Sequence, residues 1–159
     1  MERDIQFVLN GLSRTLRVKP SDKLIDVLRD KLAVNSVKYG CGKGECGACT
    51  IILNGKTVRS CIMYAVEADG CEIETLEGFQ RLGKTAIQEI FARHNSFQCG
   101  YCAPGFILST EELLRNNPDP TEEDIKKALA GNLCRCTGYK NILEALREMV
   151  ELSKAGNIL

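Results

Sequence analysis

Cys41-Gly-Lys-Gly-Glu-Cys46-Gly-Ala-Cys49, closed twelve residues later by Cys61, decides how this 159-residue chain is read. The spacing C-x4-C-x2-C…C is that of plant-type [2Fe–2S] ligation. Three thiolates from one short loop wrap a compact inorganic core, and a neighbouring segment supplies the fourth. Glycines at 40, 42, 44 and 47 allow left-handed turns and close backbone approach. Loop N–H groups can then point at the sulfurs, which helps to set a reduction potential.

Hairpins flank this loop. Residues 5–9 alternate as a strand, Asn10-Gly11 is a strong hairpin turn, and residues 12–18 read as the return strand. Pro20-Ser21-Asp22 offers a helix start, and Leu24, Val27, Leu28 and Leu32 recur at helical spacing. Beyond the loop, Thr50–Leu53, Asn54-Gly55 and Lys56–Val58 repeat the hairpin pattern, and Glu72–Thr75 can add a short strand. The expectation is a small mixed sheet crossed by one helix, with the cysteine loop on its rim.

The pattern changes near Leu76-Glu-Gly78, which places a boundary between a first domain, 1–76, and a second, 77–159. The second reads as all-α with four helices. One carries Ile87, Ile90 and Phe91. The next runs from Pro104 to about Asn116, with proline suited to its first position. A third begins at a Thr121-x-x-Asp124 capping box and stops at Gly131. The last, about 139–152, carries Ile142, Leu143, Leu146, Met149 and Val150. The tail after Ser153 is expected to fray.

Bulk properties narrow the function. The 21 basic residues balance 21 acidic ones, which argues against a nucleic-acid partner, since those leave a basic footprint. No apolar run nears the ~18 residues of a membrane-spanning helix, and Met1-Glu-Arg-Asp4 lacks the apolar stretch of a secretory signal. The chain reads as cytoplasmic. Nine cysteines in a reducing compartment point to metal or redox chemistry. Cys41, Cys46, Cys49 and Cys61 form one set of four, Cys99, Cys102, Cys134 and Cys136 a second, and Cys71 is spare.

Each pair of the second set lies just ahead of an expected helix, whose N–H groups and dipole favour thiolates. Spacing alone leaves an iron–sulfur cluster, a four-thiolate zinc site and a redox dithiol open, although zinc pairs are usually two to four residues apart. Other features read as ordinary. Gly42-x-Gly44-x-x-Gly47 matches a dinucleotide fingerprint formally, but it interleaves with cysteines and leads into a strand rather than a helix. His94, the only histidine, reads as a core or rim residue, and Cys71 as a small buried hydrophobe. Tyr101 and Tyr139, beside the cysteine pairs, suit shielding and packing equally.

Gln98-Cys-Gly-Tyr-Cys-Ala-Pro-Gly105 and Gly131-Asn-Leu-Cys-Arg-Cys-Thr-Gly-Tyr139, with Tyr39-Gly-Cys-Gly-Lys-Gly-Glu-Cys-Gly-Ala-Cys-Thr50, closely resemble the iron–sulfur subunit or domain of the molybdenum hydroxylases, the xanthine dehydrogenase and aldehyde oxidase family. The resemblance covers almost the whole chain, with no departure at the eight ligand positions. It implies an α+β protein: a plant-ferredoxin-like β-grasp domain followed by an all-α four-helix domain, each with one [2Fe–2S] cluster. It also implies a heterotrimer with a large molybdopterin-binding subunit and a medium FAD-binding subunit, with electrons relayed one at a time from molybdenum to FAD. The helical-domain cluster would face the molybdenum cofactor. Gln98 and Cys136 would approach its pterin, Cys136 while also ligating iron. The substrate leans towards xanthine or a related N-heterocycle. A free-standing double-cluster ferredoxin with transient partners is the alternative. No group suited to organic chemistry stands out in this chain.

Overall fold

Two Asn-Gly turns frame the sheet of the computed structural model, which describes residues 2–156. Strands β1 (Arg3–Leu9) and β2 (Leu12–Val18) pair antiparallel from Arg3↔Val18 to Leu9↔Leu12. Between them Asn10 and Gly11 take φ of 52° and 77°, the left-handed pair a tight two-residue hairpin requires. Strands β3 (Thr50–Leu53) and β4 (Lys56–Arg59) repeat the device at Asn54 and Gly55. Strand β5 (Glu72–Glu74) joins the hairpins, parallel to β1 and antiparallel to β3, so the order is β2-β1-β5-β3-β4.

The helix that crosses this sheet is α1 (Leu24–Asp26), which widens at once into a π-helical turn, Val27–Lys31. It buries Leu24, Ile25, Val27 and Leu28 against Ile5, Phe7, Ile51 and Ile73. Each such side chain withdrawn from water contributes roughly 1.5–3 kcal/mol before entropy is counted. A 3-10 turn, Ala65–Ala68, returns the chain to β5.

The four expected helices are present as α3 (Ala86–Arg93), α4 (Ala103–Asn116), α5 (Glu122–Leu129) and α6 (Lys140–Lys154). The Thr121 box closes as expected, with its hydroxyl accepting from Asp124 N–H and the Asp124 carboxylate accepting from Thr121 N–H. A further helix, α2 (Leu76–Arg81), was not expected. It is too short to show a period, and it sits where the strand pattern simply stops. The frayed tail expected after Ser153 falls partly within α6 and partly on residues 157–159, which lie outside the described residues.

The helices enclose a second apolar cluster, including Ile87, Phe91, Phe106, Ile125, Ile142, Leu146 and Met149. Its packing includes the tilted ring pairs Phe91–Phe97 and Phe97–Phe106. Between the two clusters lies a small apolar seam of Ile52, Phe79 and Leu108, where α4 rests on β3. No helix among the described residues is long and apolar enough to cross a membrane.

Candidate metal centres

The first four-cysteine set is built by the loop from Gly40 to Cys49 and the turn after β4. Gly42, Gly44 and Gly47 adopt φ of 68°, 80° and 73°. Gly40 does not, and serves differently: a Cβ there would lie 2.6 Å from Cys46 Sγ. The sulfur-directed amides belong to non-glycine residues. Lys43 N–H and Cys46 N–H donate to Cys41 Sγ over 3.4 and 3.5 Å. These two amides bring the Cys41 thiol down to about 6. Cys49 is buried at the entry to β3, and burial pushes its thiol up to about 11. Cys61, also buried, is held beside it because Ser60 N–H and Oγ both donate to Cys49 O, at 3.3 and 2.8 Å.

The second set joins two helix-entry loops. Cys99 and Cys136 are exposed, with their sulfurs 3.7 Å apart. Cys102 and Cys134 form the inner pair, and their thiols interact. Two thiolates about 2.3 Å from one tetrahedral metal lie about 3.8 Å apart, so the outer pair is already at ligand spacing. The expected help from helix termini is only partly realised. Cys102 is the N-cap residue of α4, yet burial pushes its thiol up to about 12. Cys134 and Cys136 stand well ahead of α6, which starts only at Lys140. Burial raises Cys134 as well, but the Thr137 hydroxyl and the N–H groups of Cys136 and Thr137 outweigh it, and its thiol is lowered overall. Its own N–H donates to Tyr139 Oη at 3.0 Å.

An all-thiolate donor set suits soft or borderline metals and iron–sulfur clusters. Three thiols are raised, Cys49 and Cys102 by burial and Cys136 by its hydrogen bond with Cys99; they are poorly ionised alone and become good ligands only when a cation replaces the proton. Six of the eight cysteines in the two sets, Cys41, Cys46, Cys99, Cys102, Cys134 and Cys136, line one cavity of about 310 Å³. The two sets therefore adjoin.

A buried polar seam welds their loops together, and it escaped the sequence reading. Leu133 N–H donates to Cys46 O at 2.9 Å. Thr50 Oγ donates to Gly47 O at 2.5 Å, and Arg59 donates to both Thr50 Oγ at 2.8 Å and Gly131 O at 2.9 Å. Asn132 Nδ2 donates to Ser109 Oγ on α4 at 2.7 Å. Asn132 and Gly105 fall inside the recognised motifs, but nothing in their spacing marks them as cross-loop contacts.

Other expectations resolve plainly. Gln98 is exposed beside Cys99. Tyr139 packs its ring on Phe106 while its hydroxyl holds Cys134, whereas Tyr101 is about half exposed and donates to Tyr39 O at 2.8 Å. His94 is a rim residue that ends α3, with Nε2 2.6 Å from Glu148. Cys71 is not buried: it is half-exposed, its sulfur 3.6 Å from Glu67 O, because the turn before β5 faces solvent. The Gly42–Gly47 fingerprint wraps thiols and leads into β3, not into a helix.

Residues 7–76 match the family described as "2Fe-2S iron-sulfur cluster binding domain", and residues 75–147 that described as "[2Fe-2S] binding domain". The chain is 49% identical to the nicotinate dehydrogenase small FeS subunit of Eubacterium barkeri, over 92% of this chain and 94% of that one. Quinoline 2-oxidoreductase from Pseudomonas putida 86 superposes with a TM-score of 0.91 at 38% identity, covering 99% of both chains. The aldehyde oxidoreductase of Desulfovibrio desulfuricans superposes at 0.89 with 41% identity, over 98% of this chain but 17% of that one. With ferredoxin-like and helical parts in the same order and at this identity, the chain belongs to the small [2Fe–2S] iron–sulfur subunits and domains of the molybdenum hydroxylase family.

Proposed function

We propose that Cys41, Cys46, Cys49 and Cys61 hold one [2Fe–2S] cluster and Cys99, Cys102, Cys134 and Cys136 a second, in domains spanning 1–76 and 77–159. The chain is the electron-transfer subunit of a molybdenum hydroxylase. The observation that carries this reading is the adjacency of two four-thiol sets on one cavity, with the outer sulfurs 3.7 Å apart. Bound there, the clusters supply two one-electron carriers in series.

The chain's own residues do the rest. The amides of Lys43 and Cys46 stabilise negative charge on the Cys41 sulfur. Burial of Cys49, Cys61 and Cys102 keeps water from the inner edges. The exposed edge formed by Gln98, Cys99 and Cys136 is where a molybdopterin-binding large subunit docks, with the Gln98 amide and Cys136 towards the pterin. The cavity side of Cys41 and Cys46 faces the second set, and a medium FAD-binding subunit takes the electrons from the ferredoxin-like cluster on its far side. The fused architecture of the aldehyde oxidoreductase, where a chain like this one forms 17% of a longer protein, fits a resident rather than transient association. A small N-heterocycle is the substrate class, and the cytoplasm the compartment.

Iron and acid-labile sulfide per chain, with electron paramagnetic resonance of the reduced protein, test the reading. About four of each and two distinguishable signals are expected. About two irons plus one zinc would remove the helical-domain cluster from the account.

A further inference from the structure

Arg59 is the one charged side chain in the seam that joins the two ligand loops. It stands directly opposite Thr50 in the β3–β4 ladder, so its guanidinium reaches the residue that follows the ligand Cys49. One arm donates to Thr50 Oγ at 2.8 Å, and the other crosses to Gly131 O at 2.9 Å, three residues ahead of Cys134. Gly131 does not take a left-handed turn; its missing side chain makes room, since a Cβ there would overlap the Arg59 guanidinium.

The charge on this group is not neutralised locally. Among the described residues Arg59 is in no ion pair. Glu112 and Asp124 line the same cleft, but they are engaged elsewhere. Glu112 accepts from Thr57 N–H at 3.0 Å, and Asp124 caps α5. A half-buried cation whose hydrogen-bond partners are all neutral oxygens keeps its charge, offset only at longer range by the cleft carboxylates, and acts on the nearest site that gains negative charge.

Resting on the two-cluster reading above, we propose that Arg59 is a positioning residue that ranks the two clusters by potential. It favours the electron on the cluster of Cys41, Cys46, Cys49 and Cys61, and it clamps that cluster's loop to the helical one. Each reduction adds one negative charge, and a fixed positive charge close by stabilises the reduced form. Arg59 is tied to the strand that follows Cys49 and lies two residues before Cys61, but it meets the helical set only through the Gly131 carbonyl. Its field therefore acts unequally on the two sites. At an effective dielectric of about 20, a unit charge about 12 Å from the added electron shifts a one-electron equilibrium by about tenfold, about 59 mV.

The test uses full-length protein with its partner subunits and the variants Arg59→Met, Arg59→Gln and Arg59→Lys. Iron per chain is read first. Fewer than about four irons in the unmodified protein overturns the two-cluster reading itself, whatever the variants do. With four irons retained, a redox titration followed by electron paramagnetic resonance reads both potentials. In Arg59→Met and Arg59→Gln the electron distribution should move about tenfold towards the helical cluster, and the magnetic coupling between reduced clusters should change. Arg59→Lys, which keeps the charge, should restore the distribution. An unchanged distribution, an equal shift at both clusters, or failure of the lysine variant to restore it would overturn the proposal. Should Arg59→Met lose iron, the comparison of Arg59→Gln with Arg59→Lys decides by the same readings.

Discussion

Gly47→Ala is the sharpest perturbation of the joint between the two ligand loops. Gly47 lies between the proposed ligands Cys46 and Cys49 with φ +73°. A Cβ there would overlap Asn132 Oδ1 and the Gly131 carbonyl and lie 2.9 Å from Asn132 Cα. Two of those three atoms are backbone, so they cannot swing away. Gly55→Ala is the matched control: its φ is +80° and nothing lies within 4 Å of the added carbon. Both variants carry the left-handed penalty of about 1–2 kcal/mol. Only Gly47→Ala adds overpacking, typically about 1–3 kcal/mol. For a chain of this size 1 kcal/mol moves the midpoint by about 2–4 °C, so Gly47→Ala should melt about 2–12 °C below the control.

Far-UV circular dichroism at a single scan rate reads the difference on metal-loaded protein. Gly105→Ala approaches the same contact from α4, since its Cβ would overlap Gly47 O. It should destabilise comparably, and the double variant should lose less than the sum, because both changes open one interface. Coincident melts for Gly47→Ala and Gly55→Ala would refute the claim that the loops are packed against each other at this point.

Three further outcomes are expected. Cys136→Ser should lower iron from about four to about two per chain while the signal of the Cys41 set persists; equal loss of both signals would contradict separate sites. Glu77 accepts from Ser36 N–H at 2.8 Å, Ser36 Oγ at 2.6 Å and Thr75 Oγ at 2.7 Å. Burial alone would raise its carboxyl, but these bonds outweigh it and hold it below the ordinary value of 4.5. The ionised form is thus the stabilising one: its contribution is complete above pH 4.5 and fades as pH falls through the lowered value. Glu77→Gln should therefore cost about 1.5–3 kcal/mol at neutral pH and progressively less in acid, as pH-dependent denaturant melts would show. Arg115 pairs with Glu74 at 2.7 Å and with the buried Glu111 at 2.9 Å. Arg115→Met should destabilise by about 3–5 kcal/mol, and the Arg115→Met/Glu111→Leu double variant should recover much of it, because the cost lies in stranding a buried charge.

The features legible in the sequence are those whose cause is local. A hairpin is fixed by two residues that accept positive φ, and Asn10-Gly11 and Asn54-Gly55 announce it directly. The turns of the cysteine loop are similarly local, set by Gly42, Gly44 and Gly47 with positive φ. Helix α4 announces itself through Pro104, and α5 through Thr121 and Asp124. Helix α2 has no such signal, since six residues span fewer than two turns. The thiol chemistry was only half visible. Helix entry suggests easily ionised thiols, yet at Cys102 burial wins, and burial is a property of the finished fold.

The seam shows why motif residues other than the ligands recur in one small region. Gly40, Gly47, Gly105 and Gly131 look alike in the sequence, but the structure separates them by cause. Gly47 needs its left-handed turn as well as the space it leaves. Gly40, Gly105 and Gly131 need no unusual φ, and each instead clears room for one particular neighbour: the Cys46 sulfur, the Gly47 carbonyl and the Arg59 guanidinium. Two of those neighbours lie on the opposite side of the joint between the domains. A chain whose only task was to fold each half would not need carbon-free surfaces facing each other there. Close approach of the loops, with Leu133 N–H on Cys46 O as a direct link between one loop of each cysteine set, is what electron transfer between the two proposed sites would demand.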